Sequence, residues 1–269
     1  MNRVLSLAHL SAIDLHPWEL IRLAAETGYQ AVGLRLIAVT PDTPAYSLMH
    51  DPPGLRETRA AMAETGVEVL DVEFFRLAPQ IDPGSYLSAL EIAATLGARN
   101  LLVAAYDPDE ARLADRLAQL AALAAPLDLA VNLEFYPWTG VANLADARRI
   151  VHASGALNAG VLVDALHLAR SDTTLAELRA ASADFRYLHL CDAPVGHPGS
   201  LEGLLHAARA ERLVPGEGGL DLAGFLRAMP REIPVALEVP MTARMQKHGP
   251  RPGVEACVRA ARALLARLD

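Results

Sequence analysis

Ala130-Val-Asn-Leu-Glu134, Gly160-Val-Leu-Val-Asp164, Arg186-Tyr-Leu-His189 and Val235-Ala-Leu-Glu238 are four short, β-prone runs, each ending in a side chain able to bind a divalent cation. One such ending is ordinary. Four in order through the second half of the chain imply strands aimed at one point. A parallel barrel does this, because its strand C-termini all open onto one face.

The rest of the chain fits that arrangement. Further apolar runs at Val4–Ala8, Ala31–Leu36, Val67–Val72 and Asn100–Ala105 bring the strand candidates to eight. Between and after them lie segments with helical spacing: Pro17–Thr27, Gly54–Thr65, Tyr86–Leu96, Pro108–Ala125, Leu144–Ser154, Leu175–Ser182, Leu222–Met229 and Val254–Leu268. Gly28, Gly66 and Gly97 stand where helices end and the chain turns with positive φ. Pro17 and the acids of Asp107-Pro108-Asp109-Glu110 mark helix starts. Strict alternation with a repeat of about 30 residues predicts one (β/α)8 domain over residues 1–269. An open doubly wound sheet would carry a glycine-rich phosphate loop after its first strand. The corresponding segment here is Ala8-His9-Leu10-Ser11-Ala12. Two connections are long, Ile37–Pro53 with four prolines and Asp192–Gly219 with many Gly, Pro and His. Both leave strand C-termini, where long loops cover substrates.

Composition narrows the function. The chain has 269 residues and 52% apolar content, ample for a large core, with a formal charge of −8 and no run of one sign. Phosphate backbones and anionic membranes require concentrated Lys and Arg, so neither is an expected partner. Cys191 and Cys257 form neither a disulfide framework nor a zinc motif. The apolar stretch of Met1–Ala8 is too short for a signal peptide, and a soluble cytoplasmic protein is expected.

Three carboxylates and one imidazole suit Mn²⁺, Mg²⁺, Co²⁺ or Zn²⁺. Crowded without a cation, the carboxylates would repel and drive one pKa upward. His167, three residues after Asp164, can ligate a metal, contact substrate or cap a helix. Asp192, three after His189, can orient a histidine or serve a turn. His9, Arg35, Glu73 and Arg76 follow or end the first three strands and face the same mouth; an arginine there can grip an anion or form a salt bridge. Arg212 can bind an anionic group or anchor its loop. Tyr106 and the Phe135-Tyr136-Pro137-Trp138 aromatics suggest an apolar wall without a chemical role.

The ordered set Glu134, Asp164-x-x-His167, His189-x-x-Asp192 and Glu238, with Arg212-Leu-Val-Pro-Gly-Glu-Gly-Gly-Leu-Asp221, resembles the xylose isomerase-like TIM-barrel superfamily over nearly the whole chain. It is most similar to the sugar phosphate isomerase/epimerase branch. The resemblance implies one divalent cation held by Glu134, Asp164, His189 and Glu238, with Glu134 and Glu238 as the acid/base pair. It implies His167 as a substrate contact, joined by Arg35, Glu73, His9 and Arg212 as further candidates. The implied reaction is isomerisation or epimerisation of a sugar, keto-sugar or related polyol through an enediolate. A dehydratase acting on an inosose or dehydroshikimate-like ring shares the first step. A non-catalytic polyol-binding barrel is the third reading. Too few matching histidines and the acidic charge set aside the DNA-reading, three-zinc branch. Relatives often form dimers or tetramers, so a homo-oligomer is an expectation without an identifiable interface in the sequence.

Overall fold

A computed structural model describes residues 3–40 and 43–268. Residues 41–42 of the first long loop and the first two residues of the N-terminal stretch lie outside that description. The strands are β1 (Leu5–Leu7), β2 (Ala31–Arg35), β3 (Glu68–Leu77), β4 (Asn100–Ala105), β5 (Ala130–Glu134), β6 (Ala159–Asp164), β7 (Phe185–Leu190) and β8 (Val235–Leu237). They pair in parallel with sequential neighbours, and β8 returns to β1 through Leu5–Val235 and Leu7–Leu237, closing the barrel. The helices are α1 (Pro17–Thr27), α2 (Pro52–Thr65), α3 (Leu87–Thr95), α4 (Glu110–Ala124), α5 (Leu144–Ser154), α6 (Ala165–Ala169), α7 (Leu175–Ala180), α8 (Leu201–Arg209), α9 (Leu222–Ala228), α10 (Thr242–His248) and α11 (Arg251–Ala266).

Helix ends follow local chemistry. Glu19 accepts from the His16 N–H at 2.8 Å and Asp109 from the Arg112 N–H at 3.0 Å, caps worth about 1 kcal/mol each. Gly28 and Gly66 terminate α1 and α2 at φ 90° and 72°, which a side chain would strain. The α4 face of Leu113, Leu117, Leu120 and Ala124 is buried against the strands' outward side chains. Each such leucine removed from water contributes roughly 1.5–3 kcal/mol.

The third strand and three helices that the sequence reading lacks, α6, α8 and α10, differ from it. The third strand runs to Leu77 instead of Val72, because pairing resumes beyond irregularities at Val32/Gly33 and Val72/Phe75. Glu73 and Arg76 therefore lie within β3, not after it. The long segment after β7 contains α8, capped by Ser200. A further helix, α10, precedes α11 at the barrel mouth.

The barrel interior is unusual in being polar beneath its mouth. Barrel interiors are normally filled by branched apolar side chains. Here Ser6, Asp71, Asn100, Asn132 and Tyr187 are all buried among Ala31, Leu102, Leu162 and Ala236.

Candidate metal centre

Strand termination builds the centre. Glu134 is the last residue of β5, Asp164 the last of β6, His189 the penultimate of β7, and Glu238 follows β8 directly. Register places Asp164 opposite His189, and His189 opposite Ala236, two residues before Glu238. Glu134, Asp164 and His189 each offer a ligand atom within 4.8 Å of the others, and all are buried. Glu238, the fourth expected ligand, stands beside this group with Oε2 3.4 Å from His189 Nδ1. The same Oε2 lies 2.8 Å from Arg212 Nη2.

The Asp164-x-x-His167 spacing has a local cause. Asp164 Oδ1 accepts from the Leu166 and His167 N–H groups at 2.7 and 3.2 Å, starting α6. That turn carries His167 back over the mouth, where Nε2 is 3.9 Å from Glu134 Oε1. Asp164 Oδ2 is thereby left for Arg212 Nη1 at 2.6 Å. Arg212 also donates to the Ala208 and Glu238 carbonyls at 2.9 and 3.2 Å. It is a buried brace between two candidate ligands.

Electrostatics record the crowding. Burial, aided by Glu238 and Asp164, pushes the Glu134 carboxyl up to about 8. Burial also acts on Asp164 and Glu238, but the Arg212 guanidinium outweighs it and holds both below the usual carboxylate range. Burial disfavours a charged His189, yet Glu238, Glu134 and Asp164 raise it to about 10. Buried His167 falls to about 4. Glu134 Oε1 and both His189 nitrogens are buried without a hydrogen-bond partner. Of these, Glu134 Oε1 and His189 Nδ1 face the cluster, and carboxylate oxygens with one imidazole nitrogen fit a divalent cation.

A cavity of about 190 Å³ opens above this group. Arg35, Glu73, Glu134, His167, Arg212 and Glu238 form its polar side. Phe74, Leu102, Tyr106, Tyr136 and Trp138 form an apolar side. Val39, Thr43 and Pro44 from the loop after β2, with Ala208 and Arg209 of α8, line its mouth, as long covering loops should.

The remaining candidates separate clearly. Arg35 Nη2 pairs with Glu73 Oε2 at 3.0 Å, while Arg35 Nε and Glu73 Oε1 are buried and unpartnered. His9, read from sequence as a substrate contact, has both ring nitrogens engaged by the main chain. Nδ1 accepts from the Arg35 N–H at 2.9 Å, so Nε2 carries the proton and donates to the Leu15 carbonyl at 2.9 Å. It supports Arg35 from behind. Arg76 stacks over Tyr106, 4.3 Å from the ring centroid. Asp192 orients no histidine: it accepts from the N–H groups of Gly216, Gly218, Leu220 and Ala193, fixing the Pro215–Gly219 turn. A Cβ on Gly218 would meet Asp192 Oδ1 at 2.3 Å, hence the glycine.

Two contributors escaped sequence reasoning. Tyr136 donates from its hydroxyl to Glu134 Oε2, leaving Oε1 toward the centre. The aromatic cluster signalled a wall but not this bond. Ser11 donates to the Leu237 carbonyl at 2.9 Å and accepts from the Val239 N–H at 2.7 Å, clamping the chain on both sides of Glu238.

Comparison with known proteins agrees with this fold. The chain is similar to the IolI protein crystallised with a bound zinc atom, at 18% identity and TM-score 0.82, covering 98% of this chain and 99% of that one. It is similar to a Methylomonas sp. D-allulose 3-epimerase in complex with D-allulose, at 14% identity and TM-score 0.72, covering 98% of each. A probable 3-DHS dehydratase of petrobactin synthesis from Bacillus anthracis, AsbF, superposes with TM-score 0.73 at 14% identity over 96% of this chain and 98% of that one. No curated protein sequence matches. At these identities the structures share the fold, but the family model for xylose isomerase-like TIM barrels matches residues 21–263, and the chain belongs to that family.

Proposed function

We propose that this barrel is a divalent-cation-dependent isomerase or epimerase of a small sugar, keto-sugar or related polyol. The observation that carries the reading is the convergence of Glu134, Asp164, His189 and Glu238 beneath one small cavity, with Glu134 Oε1 buried and unpartnered. Glu134, Asp164 and His189, joined by Glu238, would hold the cation. When bound, it supplies Lewis-acid polarisation of a substrate carbonyl.

The chain's own groups account for the remaining chemistry. Glu134 and Glu238 reach the cavity from β5 and β8, so a carbon seated between them has a carboxylate on either side. One removes the proton beside the carbonyl and the other returns one, passing through an enediolate. Return to the opposite face epimerises; return to the neighbouring carbon isomerises. His167 offers an N–H group to the developing oxyanion, while Arg212 holds Asp164 and Glu238 in place. The unpartnered Arg35 Nε and Glu73 Oε1 supply a donor and an acceptor for hydroxyl groups. Phe74, Tyr106, Tyr136 and Trp138 cover the apolar C–H face and exclude water.

The size of the cavity supports a small substrate. The cavity is below the roughly 300–1,000 Å³ of sites for drug-sized ligands. Its lining carries three carboxylates, Glu73, Glu134 and Glu238, and three guanidiniums, Arg35, Arg209 and Arg212. The test is incubation of the metal-loaded protein with neutral keto-polyols in D₂O. Deuterium incorporated at carbon without loss of water supports the reading. Release of water with an absorbing enone would replace it with a dehydratase. No turnover and no cation binding would refute it.

A further inference from the structure

Below the ligand cluster, the barrel holds buried polar atoms that the proposed reaction does not use. Ser6 Oγ, Asp71 Oδ1, Tyr187 Oη and His189 Nε2 are all buried and without protein hydrogen-bond partners. An orphaned polar atom in a protein interior costs about 1–3 kcal/mol, so four near one another call for an explanation.

Their placement is coherent. His189 turns Nδ1 toward Glu238 and Asp164, at 3.4 and 3.8 Å, so Nε2 looks away from the cluster. Tyr187 lies two residues below on the same strand face, its ring edge-on to the imidazole at 5.7 Å between centroids. Ser6 sits at the same level as His189, separated only by Ala236 of the intervening strand. Asp71 enters from β3 opposite Gly33, where a Cβ would come within 2.8 Å of Oδ1. The missing Cβ at Gly33 thus lets the Asp71 carboxyl lie against β2 inside the barrel. The charged group that Asp71 senses most strongly is His189, and Tyr187 in turn senses Asp71 most strongly.

We propose that Asp71 is a positioning residue for His189: one buried water, shared with Tyr187 Oη, links Asp71 Oδ1 to the Nε2–H. A hydrogen bond at Nε2 selects the tautomer whose Nδ1 lone pair faces Glu134 and Asp164 and fixes the ring's rotation. A ligating histidine is commonly held by its other nitrogen in this way. Asp71 Oδ1, Tyr187 Oη and His189 Nε2 are the three or so polar partners that a buried water takes. The polar floor is then part of the metal centre, not a packing defect. This inference rests on the reading of the cluster as a cation site.

Zn²⁺ titration calorimetry on the full-length wild type, Asp71→Leu, Asp71→Asn and Tyr187→Phe tests it, alongside ¹⁵N-histidine NMR of the zinc-loaded proteins. In wild type, the His189 signal, assigned by its loss in His189→Gln, should show protonated Nε2 and unprotonated Nδ1. The zinc Kd should rise about 10–100-fold in Asp71→Leu. Asp71→Asn, which keeps an acceptor oxygen and nearly the same shape, should lose less. Tyr187→Phe should lose less still. An unchanged Kd in all three variants, with only the melting temperature lowered, would make Asp71 merely structural and overturn the proposal. A His189 protonated at Nδ1 in the zinc-loaded wild type would also overturn it. Absence of zinc binding by the wild type would instead remove the cation reading itself.

Discussion

Two buried arginines face each other across the cavity, and they are built differently. Arg212, on the β6–β8 side, spends its guanidinium on Asp164 Oδ2, Glu238 Oε2 and two carbonyls. Arg35, on the β2–β3 side, makes one ion pair with Glu73 and keeps Nε free. The same residue type therefore fixes charge on one wall and leaves hydrogen-bonding capacity on the other. The first arrangement suits ligands that must not move. The second suits a substrate that brings its own partners. The comparison predicts that damage to the two walls will differ in kind.

Arg212→Leu should do the most harm. It leaves Asp164 and Glu238 buried without their counter-charge, a loss of about 3–5 kcal/mol in denaturant unfolding of the metal-free protein. Zn²⁺ should recover part of that, since a cation replaces the lost charge. Turnover should fall as well, because the two candidate ligands lose the group that fixes them. Wild-type stability without metal would show that Arg212 is no brace. Next in size, Glu134→Gln should lower kcat about 10²–10⁴-fold and weaken Zn²⁺ binding, because the same carboxylate is a candidate cation ligand. An unchanged kcat would move the acid/base role elsewhere.

The opposite wall should answer in KM. Glu73→Gln keeps the shape but removes the charge partner of Arg35. An effect of roughly 1.5–3 kcal/mol in substrate binding, about 10–100-fold in KM, should appear with kcat and Zn²⁺ affinity little altered. Equal losses in kcat and cation affinity would erase the distinction between the walls.

How much of this was readable beforehand follows the same division. Glu134, Asp164, His189 and Glu238 were legible because strand ends in a closed parallel barrel converge, so position along each run predicts position in space. The His167 turn was legible as a spacing but not as a consequence of Asp164 capping α6. Arg212 was not legible as a brace, because its partners lie 48 and 26 residues away and only barrel closure brings them together. Ser11 reaches across 226 residues to β8 for the same reason. The extension of β3 was hidden because Leu70-Asp-Val-Glu-Phe-Phe-Arg-Leu77 carries charges that point into the barrel, where apolar residues were expected. In α8, glycine and histidine masked an amphipathic helix behind a loop-like composition.

His9 offers the smallest and most selective way to sharpen the comparison, because it touches the Arg35 wall from behind and no cation ligand. Burial, with Arg35 and His16 nearby, lowers its pKa from 6.5 to about 4. In the unfolded chain the ring binds a proton near pH 6.5, while in the folded chain it stays neutral down to about 4. The unfolded state therefore holds more protons throughout that window, and stability falls as pH drops through it. The contribution is about 1 kcal/mol per pH unit, since one proton is at stake. His9→Gln can keep an acceptor for the Arg35 N–H and a donor for the Leu15 carbonyl without titrating. Urea unfolding from pH 6.5 to 4.5 should accordingly give a shallower acid limb for His9→Gln than for wild type, with the KM at pH 7.5 changed only a few-fold. Parallel acid limbs would mean that His9 takes up its proton as readily in the folded barrel as in the unfolded chain, and that the support beneath Arg35 is looser than the two hydrogen bonds imply.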